Sequence, residues 1–170
     1  MNTRHALIGS PLGELTLVAR EDVLAGVYFR HHWHRPAGDG FGRRLDAESD
    51  TLLTATRTQL TAYLAGDRRD FDLPVRLDGD EAQRRVWLLL TEIPYGETVT
   101  YGELAAALAD GTTAQEVGQA VGRNPVSIVV PCHRVVGKNG HLTGYAGGLA
   151  RKQFLLDLEE PAEVKEARLF

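Results

Sequence analysis

Cysteine is nearly absent from this chain: Cys132 is the only one in 170 residues. A single thiol excludes an internal disulfide framework and any multi-cysteine zinc site. It fits a reducing compartment, where a free thiol persists. An excess of positive charge is missing too. Nineteen Lys and Arg stand against 23 Asp and Glu, a formal net charge of -4, which argues against a protein that coats nucleic acid over its whole surface. The opening stretch "MNTRHALIGSPLGEL" has no long apolar run, so neither a signal peptide nor a membrane span is expected there, and the location expected is cytoplasmic. Internal repeats and low-complexity tracts are also lacking. What the chain does have is 43% hydrophobic residues, enough for a proper core in one large domain or two small ones.

Pattern and punctuation divide it near Leu77 to Asp80, into an N-terminal unit 1–79 and a C-terminal unit 80–170. "SPLGELTLVA" followed by "VLAGVYF" predicts a β-hairpin with Leu15 and Leu17 alternating. "HHWHRPAGDGFGRRL" reads as a loop rich in glycine and charge. "SDTLLTATRTQLTAYLAG" predicts a helix with Leu53, Leu60 and Leu64 near one stripe and Gly66 as the stop. "FDLPVRL" suggests a short edge strand interrupted by Pro74. Beyond the boundary, Ala82, Val86, Leu89 or Leu90, and Ile93 recur at helical spacing. Thr100 with Glu103, and Thr113 with Glu116, each fit a capping box. Two short capped helices joined by "ADGT" read as a helix-turn-helix or as an ordinary helical hairpin. From Asp110 to Lys152, Arg123, Arg134, Lys138, Arg151 and Lys152 outnumber Asp110 and Glu116, a local balance of about +3 to which phosphates would respond.

Cys132 follows the β-branched run "IVVP" and precedes His133. A thiol is nucleophilic as its thiolate, which needs a base or cation nearby. In a strand, adjacent side chains point to opposite faces, so Cys132 and His133 meet only through a bend or a water. Pro131 makes a bend reasonable, while a lone cysteine in such a run also reads as inert core filler. Glycines at 140, 144, 147 and 148 allow close backbone approach to a ligand, with Tyr145 among them. A helix from Leu149 carries Phe154, Leu155 and Leu158 and closes at Glu159, a position where the helix dipole disfavours a carboxylate.

"NPVSIVVPCHRVVGKNGHLTGYAGGLARKQFLL" and "RRVWLLLTEIPYGETVTYGELA" together closely resemble the active-site region of the O6-alkylguanine-DNA alkyltransferases, also called methylated-DNA–protein-cysteine methyltransferases. The resemblance covers about Arg84 to Glu159. It implies a mixed α+β fold: a small N-terminal α/β sheet domain followed by a mainly helical, winged-helix-like domain with the helix-turn-helix. It implies DNA repair by irreversible transfer of an alkyl group from O6-alkylguanine in duplex DNA to Cys132. The base would be flipped out, the helix-turn-helix would sit in the minor groove, and the protein would act once, as a monomer without a cofactor. By position, His133 would be the base, reaching Cys132 through a water. Glu159 would orient His133, Asn124 would brace the turn, and Tyr101 would donate to the leaving guanine. Tyr145, Val135, Ala146 and Gly147 would line the base pocket. Gln115, Gly118, Arg123 and Arg134 would face DNA.

The sequence departs from the family in three places. Gln115 stands where the family usually inserts an arginine into the stack. Ala82-Gln83 replaces a Phe-Gln pair, which implies lost packing at the domain interface. The N-terminal zinc cysteines of some relatives are missing, and His31, His32 and His34 suggest either a metal site or a solvated loop. Two other classes stay open: a lesion-binding protein without catalysis, and a cysteine hydrolase using Cys132 and His133.

Overall fold

The computed structural model describes residues 2–32, 34–36 and 38–169; Met1, Trp33, Ala37 and Phe170 lie outside the described residues. The first half is a four-stranded sheet backed by one helix. Strands β1 (Thr3–Ile8), β2 (Leu15–Arg20) and β3 (Val23–Phe29) form an antiparallel meander, and β4 (Arg43–Arg44) pairs in parallel with β1, giving the order β3-β2-β1-β4. The expected hairpin is β2–β3. Strict alternation does not hold in it, because β2 is buried on both faces from Leu15 to Ala19. Strand β1 and the short pieces at Gly38–Phe41 and Arg43–Arg44 interrupt what reads in sequence as coil and loop.

Helix α1 (Thr51–Leu64) begins where Asp50 accepts the Leu53 amide. Arg4 of β1 also pairs with Asp50, so the start of α1 is tied to the sheet. Gly66 ends the helix at φ 84°, a left-handed conformation glycine adopts without steric cost. The expected edge strand around Pro74 is a single parallel bridge: the Leu24 amide donates to the Pro74 carbonyl at 2.7 Å.

The second half runs α2 (Glu81–Leu90), β5 (Val99–Thr100), α3 (Tyr101–Leu108), α4 (Ala114–Gly122), a 3-10 turn at Cys132–Arg134, β6 (Val135–Val136), α5 (Leu149–Glu159) and α6 (Ala162–Leu169). Both expected capping boxes form, and Asp80 with Gln83 makes a third at α2. Gln83 is thus used at a helix start. Ala82 is exposed beside an open depression between α2 and α4, so the packing change expected there lies within this half. Trp87 is buried and donates to the Ala120 carbonyl at 2.7 Å, fixing α2 to α4.

One apolar cluster runs through both halves, from Leu15 and Phe29 through Leu60 and Trp87 to Val121, Val135 and Leu155. Strand β3 also reaches the second half directly. The Val27 amide donates to the Pro125 carbonyl at 2.9 Å, and the Ser127 amide donates back to Val27 at 3.3 Å. The sheet edge therefore braces the turn that leads to the cysteine. No helix among the described residues is long and apolar enough to cross a membrane.

Candidate active site

The run "IVV" before Cys132 is a chain of tight turns, which corrects the strand-like reading. The Val130 amide donates to the Val126 carbonyl at 2.9 Å, and the Cys132 amide donates to Val130 at 2.8 Å. Ile128 sits at φ 71°, which is rare for a β-branched residue and marks a locally constrained backbone. Asn124 holds this coil from inside: its side-chain amide donates to the Val130 carbonyl at 2.9 Å, and its carbonyl oxygen accepts the Val126 amide at 3.0 Å. Pro131, at ψ 64°, then turns the chain into the short helix that carries Cys132, His133 and Arg134.

Behind Cys132 lies a buried polar network centred on Glu159. Its Oε2 lies 2.9 Å from His133 Nε2. Arg134 donates through Nε to Oε1 and through Nη2 to Oε2, both at 2.8 Å, and through Nη1 to the Ile93 carbonyl at 2.6 Å. The Tyr63 hydroxyl, from α1, donates to the same carboxylate. This many donors hold Glu159 ionised, down to about 2, despite the burial that opposes it. Burial pushes His133 the other way, below the ordinary imidazole range, against the pull of Glu159. The imidazole is therefore neutral, with Nε2–H directed at the carboxylate and the Nδ1 lone pair free. His133 Nδ1 is a buried polar atom with no hydrogen-bond partner among the described residues. Unpaired buried polar atoms cost about 1–3 kcal/mol each, and sites of chemistry are where such costs are tolerated.

Burial also raises the Cys132 thiol above its ordinary value, and the Asn124 side chain and the Lys152 ammonium reduce that shift without reversing it. The resting pair is a thiol beside a neutral imidazole. A thiolate forms when His133 takes the proton.

Cys132 forms the floor of an open cavity of about 530 Å3. Of the residues singled out in sequence, Tyr101, Gln115, Gly118, Tyr145 and Ala146 line it. Gly118 leaves space for the Tyr101 ring, since a Cβ there would meet that ring at 3.6 Å. Four expected residues stand elsewhere. Val135 is fully buried in β6, and Gly147 packs so tightly on Phe29 that a Cβ would lie 2.4 Å from its ring. Arg134 is committed to Glu159. Arg123 is exposed at the end of α4, beside the α2 depression and outside this cavity.

The local positive balance shrinks accordingly. Arg134 and Lys152 are buried, and Arg151 donates to the carbonyls of Leu12, Arg30 and Gly147. The histidines do not gather around a metal either: no metal-holding cluster occurs among the described residues. Instead His32 is buried, accepts the Phe29 amide on Nδ1 at 3.2 Å, and is pushed down to about 4 by that burial.

Sequence reasoning missed Tyr63 and Lys152. Lys152 is 1% exposed, and its ammonium donates to the Val135 carbonyl at 2.6 Å and the Gly144 carbonyl at 2.9 Å. It fastens the strand after the cysteine to the loop that walls the cavity. Burial lowers it to about 8 from an ordinary 10.5. Between those values the unfolded chain holds a proton that the folded chain has released, so this group's contribution to stability rises with pH across that window. Denaturant unfolding at pH 8 and pH 10.5 should show wild type gaining on a Lys152→Met variant by about 2–3 kcal/mol over the interval.

Two family models match the chain. Residues 3–77 match the family model of the 6-O-methylguanine DNA methyltransferase ribonuclease-like domain, and residues 81–161 match that of its DNA binding domain. The methylated-DNA–protein-cysteine methyltransferase of Mycolicibacterium paratuberculosis is 44% identical over 98% of both chains. The inducible enzyme of that name from Bacillus subtilis is 47% identical over 72% of this chain and 68% of its own. A crystal structure of Mycobacterium tuberculosis OGT in complex with DNA superposes with a TM-score of 0.82 at 39% identity, covering 95% of this chain and 97% of that one. The chain belongs to the 6-O-methylguanine DNA methyltransferase family.

Proposed function

We propose that this protein repairs duplex DNA by moving an alkyl group, methyl in the simplest case, from the O6 of guanine onto its own Cys132, once and irreversibly. The observation that carries this reading is the placement of the single cysteine: it is the floor of an open cavity, next to a histidine whose Nδ1 is free and whose Nε2 is tied to an ionised glutamate. A thiol at the bottom of a cavity reaches an alkylguanine only when the base leaves the helix stack, so flipping comes first. His133 Nδ1 then takes the thiol proton through a water, and Glu159 stabilises the resulting imidazolium. The sulfur attacks the alkyl carbon, the carbon–O6 bond breaks, and its electron pair stays with guanine. Tyr101, at the start of α3 on the cavity wall, supplies a proton to the departing ring. Asn124 keeps Cys132 in register during the step. No cofactor enters, and the thioether formed has no second cysteine to resolve it. The protein acts in the cytoplasm as a monomer, with the helix-turn-helix in the minor groove and residues 1–79 and 80–170 as its two domains.

Intact-mass analysis after incubation with duplex DNA containing O6-methylguanine tests this. One methyl group per chain is expected, on the peptide holding Cys132. Multiple turnovers, or activity retained in Cys132→Ala, would refute it. Binding without mass change would instead mark a lesion-binding protein, and turnover on an ester or peptide a hydrolase.

Gln115 is exposed at the mouth of the cavity, one residue into α4. In the gap left by a flipped base it fills space without charge. Gln115→Arg adds stacking and cationic attraction to the electronegative groove. It should bind duplex more tightly and repair it faster, while transfer from free O6-benzylguanine, which needs no flipping, stays the same. Side-by-side rates on the two substrates check this.

A further inference from the structure

The cavity above Cys132 has a mouth and a floor of different character. The floor is Cys132, Tyr145 and Ala146, all buried; Gln115 and Gln119 are exposed at the mouth. A nucleotide entering base first leaves its phosphodiester at the mouth, yet no lysine or arginine lines the cavity among the described residues. The one side chain there that can carry positive charge is His34, and it is also the one lining residue from the first half of the chain.

The loop after β3 is built to hold it there. On one side of His34, the buried ring of His32 stacks on Phe29, with centroids 5.7 Å apart and planes 13° apart. On the other side, Arg35 turns back to the sheet, donating to Thr16 Oγ1 at 3.1 Å and lying 5.1 Å over the Phe41 ring. Arg151, a cation packed against this loop, lies 5.0 Å over Phe29 and is committed to backbone carbonyls. Between these anchors His34 is exposed, in a left-handed conformation at φ 53°, beside the cavity.

We propose that His34 is a substrate-contacting residue that binds a backbone phosphate of the extruded nucleotide. This assignment rests on the function proposed above. It gives the first half of the chain a direct part in holding DNA, at a cavity where Gln115 brings no charge.

The test compares wild type, His34→Asn and His34→Arg. Asparagine tolerates the left-handed conformation and cannot carry a charge; arginine always carries one. Binding to duplex containing O6-methylguanine is measured across a salt series. Transfer from free O6-benzylguanine, which carries no phosphate, is measured alongside. Duplex affinity should fall by up to about 5-fold in His34→Asn, as for an exposed charge contact. The slope of log affinity against log salt should steepen from His34→Asn to His34→Arg by up to about 0.9, one phosphate's worth. A neutral methylphosphonate at the damaged nucleotide should weaken wild type and leave His34→Asn nearly unchanged. Free-base transfer should be equal in all three proteins. Coincident salt slopes, equal sensitivity to the methylphosphonate, or a parallel loss on the free base would overturn the assignment. Failure of wild type to react with either substrate would refute the underlying function instead.

Discussion

Glu159→Ala is expected to lower the free energy of unfolding by about 3–5 kcal/mol and to abolish alkyl transfer. Glu159 is 2% exposed and is the common acceptor for Arg134, His133 and Tyr63. Removing it leaves the Arg134 guanidinium as a buried charge without its carboxylate partner, and breaking a buried pair from one side costs in that range. The pH dependence has a definite sign. Glu159 falls to about 2 in the folded protein from an ordinary 4.5, so its stabilisation is complete above pH 4.5 and is lost as pH drops toward 2. The gap between wild type and Glu159→Ala, read by urea unfolding, should narrow over that interval. His133 adds to acid lability by a different route: the unfolded histidine takes up a proton through the ordinary imidazole range while the buried one resists, so stability falls there as pH falls. Glu159→Gln keeps the shape and removes the charge. A loss as large as that of alanine would assign the effect to the stranded guanidinium, and a small loss would assign it to packing.

His133→Gln is expected to slow transfer by about 10²- to 10⁴-fold near neutral pH, the usual worth of a positioned base. The pH profile carries the mechanism. In wild type the reacting pair is a thiol and a neutral imidazole, and burial keeps that imidazole neutral below the ordinary histidine range. The rate should therefore hold as pH drops through that range and fall only below it. In His133→Gln nothing accepts the proton, and the Cys132 thiol, raised by burial, ionises only at high pH. Its rate should climb steadily toward alkaline pH and approach wild type there. Single-turnover rates from pH 5.5 to 9.5, a span of roughly ordinary imidazole and thiol titration, distinguish the two. A flat profile in the variant would remove His133 from the proton path.

Much of this was legible in local sequence. Thr100 with Glu103 and Thr113 with Glu116 are contacts three residues apart, so spacing alone identifies them. The hairpin of β2 and β3 and the stripe of α1 are local in the same way. The cysteine's surroundings were legible for another reason: "PCHRV" between "NP" and "GYAGG" is a pattern specific enough to name a family. The misses are long-range. Tyr63 and Glu159 are 96 residues apart, and nothing in "TAYLAG" says that the hydroxyl meets a carboxylate rather than solvent. A tyrosine on a core stripe does need a buried partner, which is a usable signal. Arg134 and Lys152 read as surface charge because charge counts carry no burial. Only the folded chain shows that one neutralises Glu159 and the other ties two carbonyls together. Gly147 read as a pocket glycine, but it is the close approach of Phe29 that requires its lack of a side chain.

The two-residue parallel ladder of β5 and β6 sets Val99 beside Val135 and Thr100 beside Val136. The chain leaves that ladder into α3 and returns to it directly after Arg134, so the helix-turn-helix and the cysteine lie on one excursion with adjacent ends. Insertions and deletions are thereby sorted by place. A length change at the exposed Asp110–Gly111 corner between α3 and α4 lies away from both ends and leaves Tyr101 and Cys132 where the ladder puts them. A single added residue between Asn124 and Pro131 has no such freedom, because Asn124 grips Val126 and Val130 and β3 grips Pro125 and Ser127. Natural variation in the length of this excursion should accumulate at the corner and be purged from the turn.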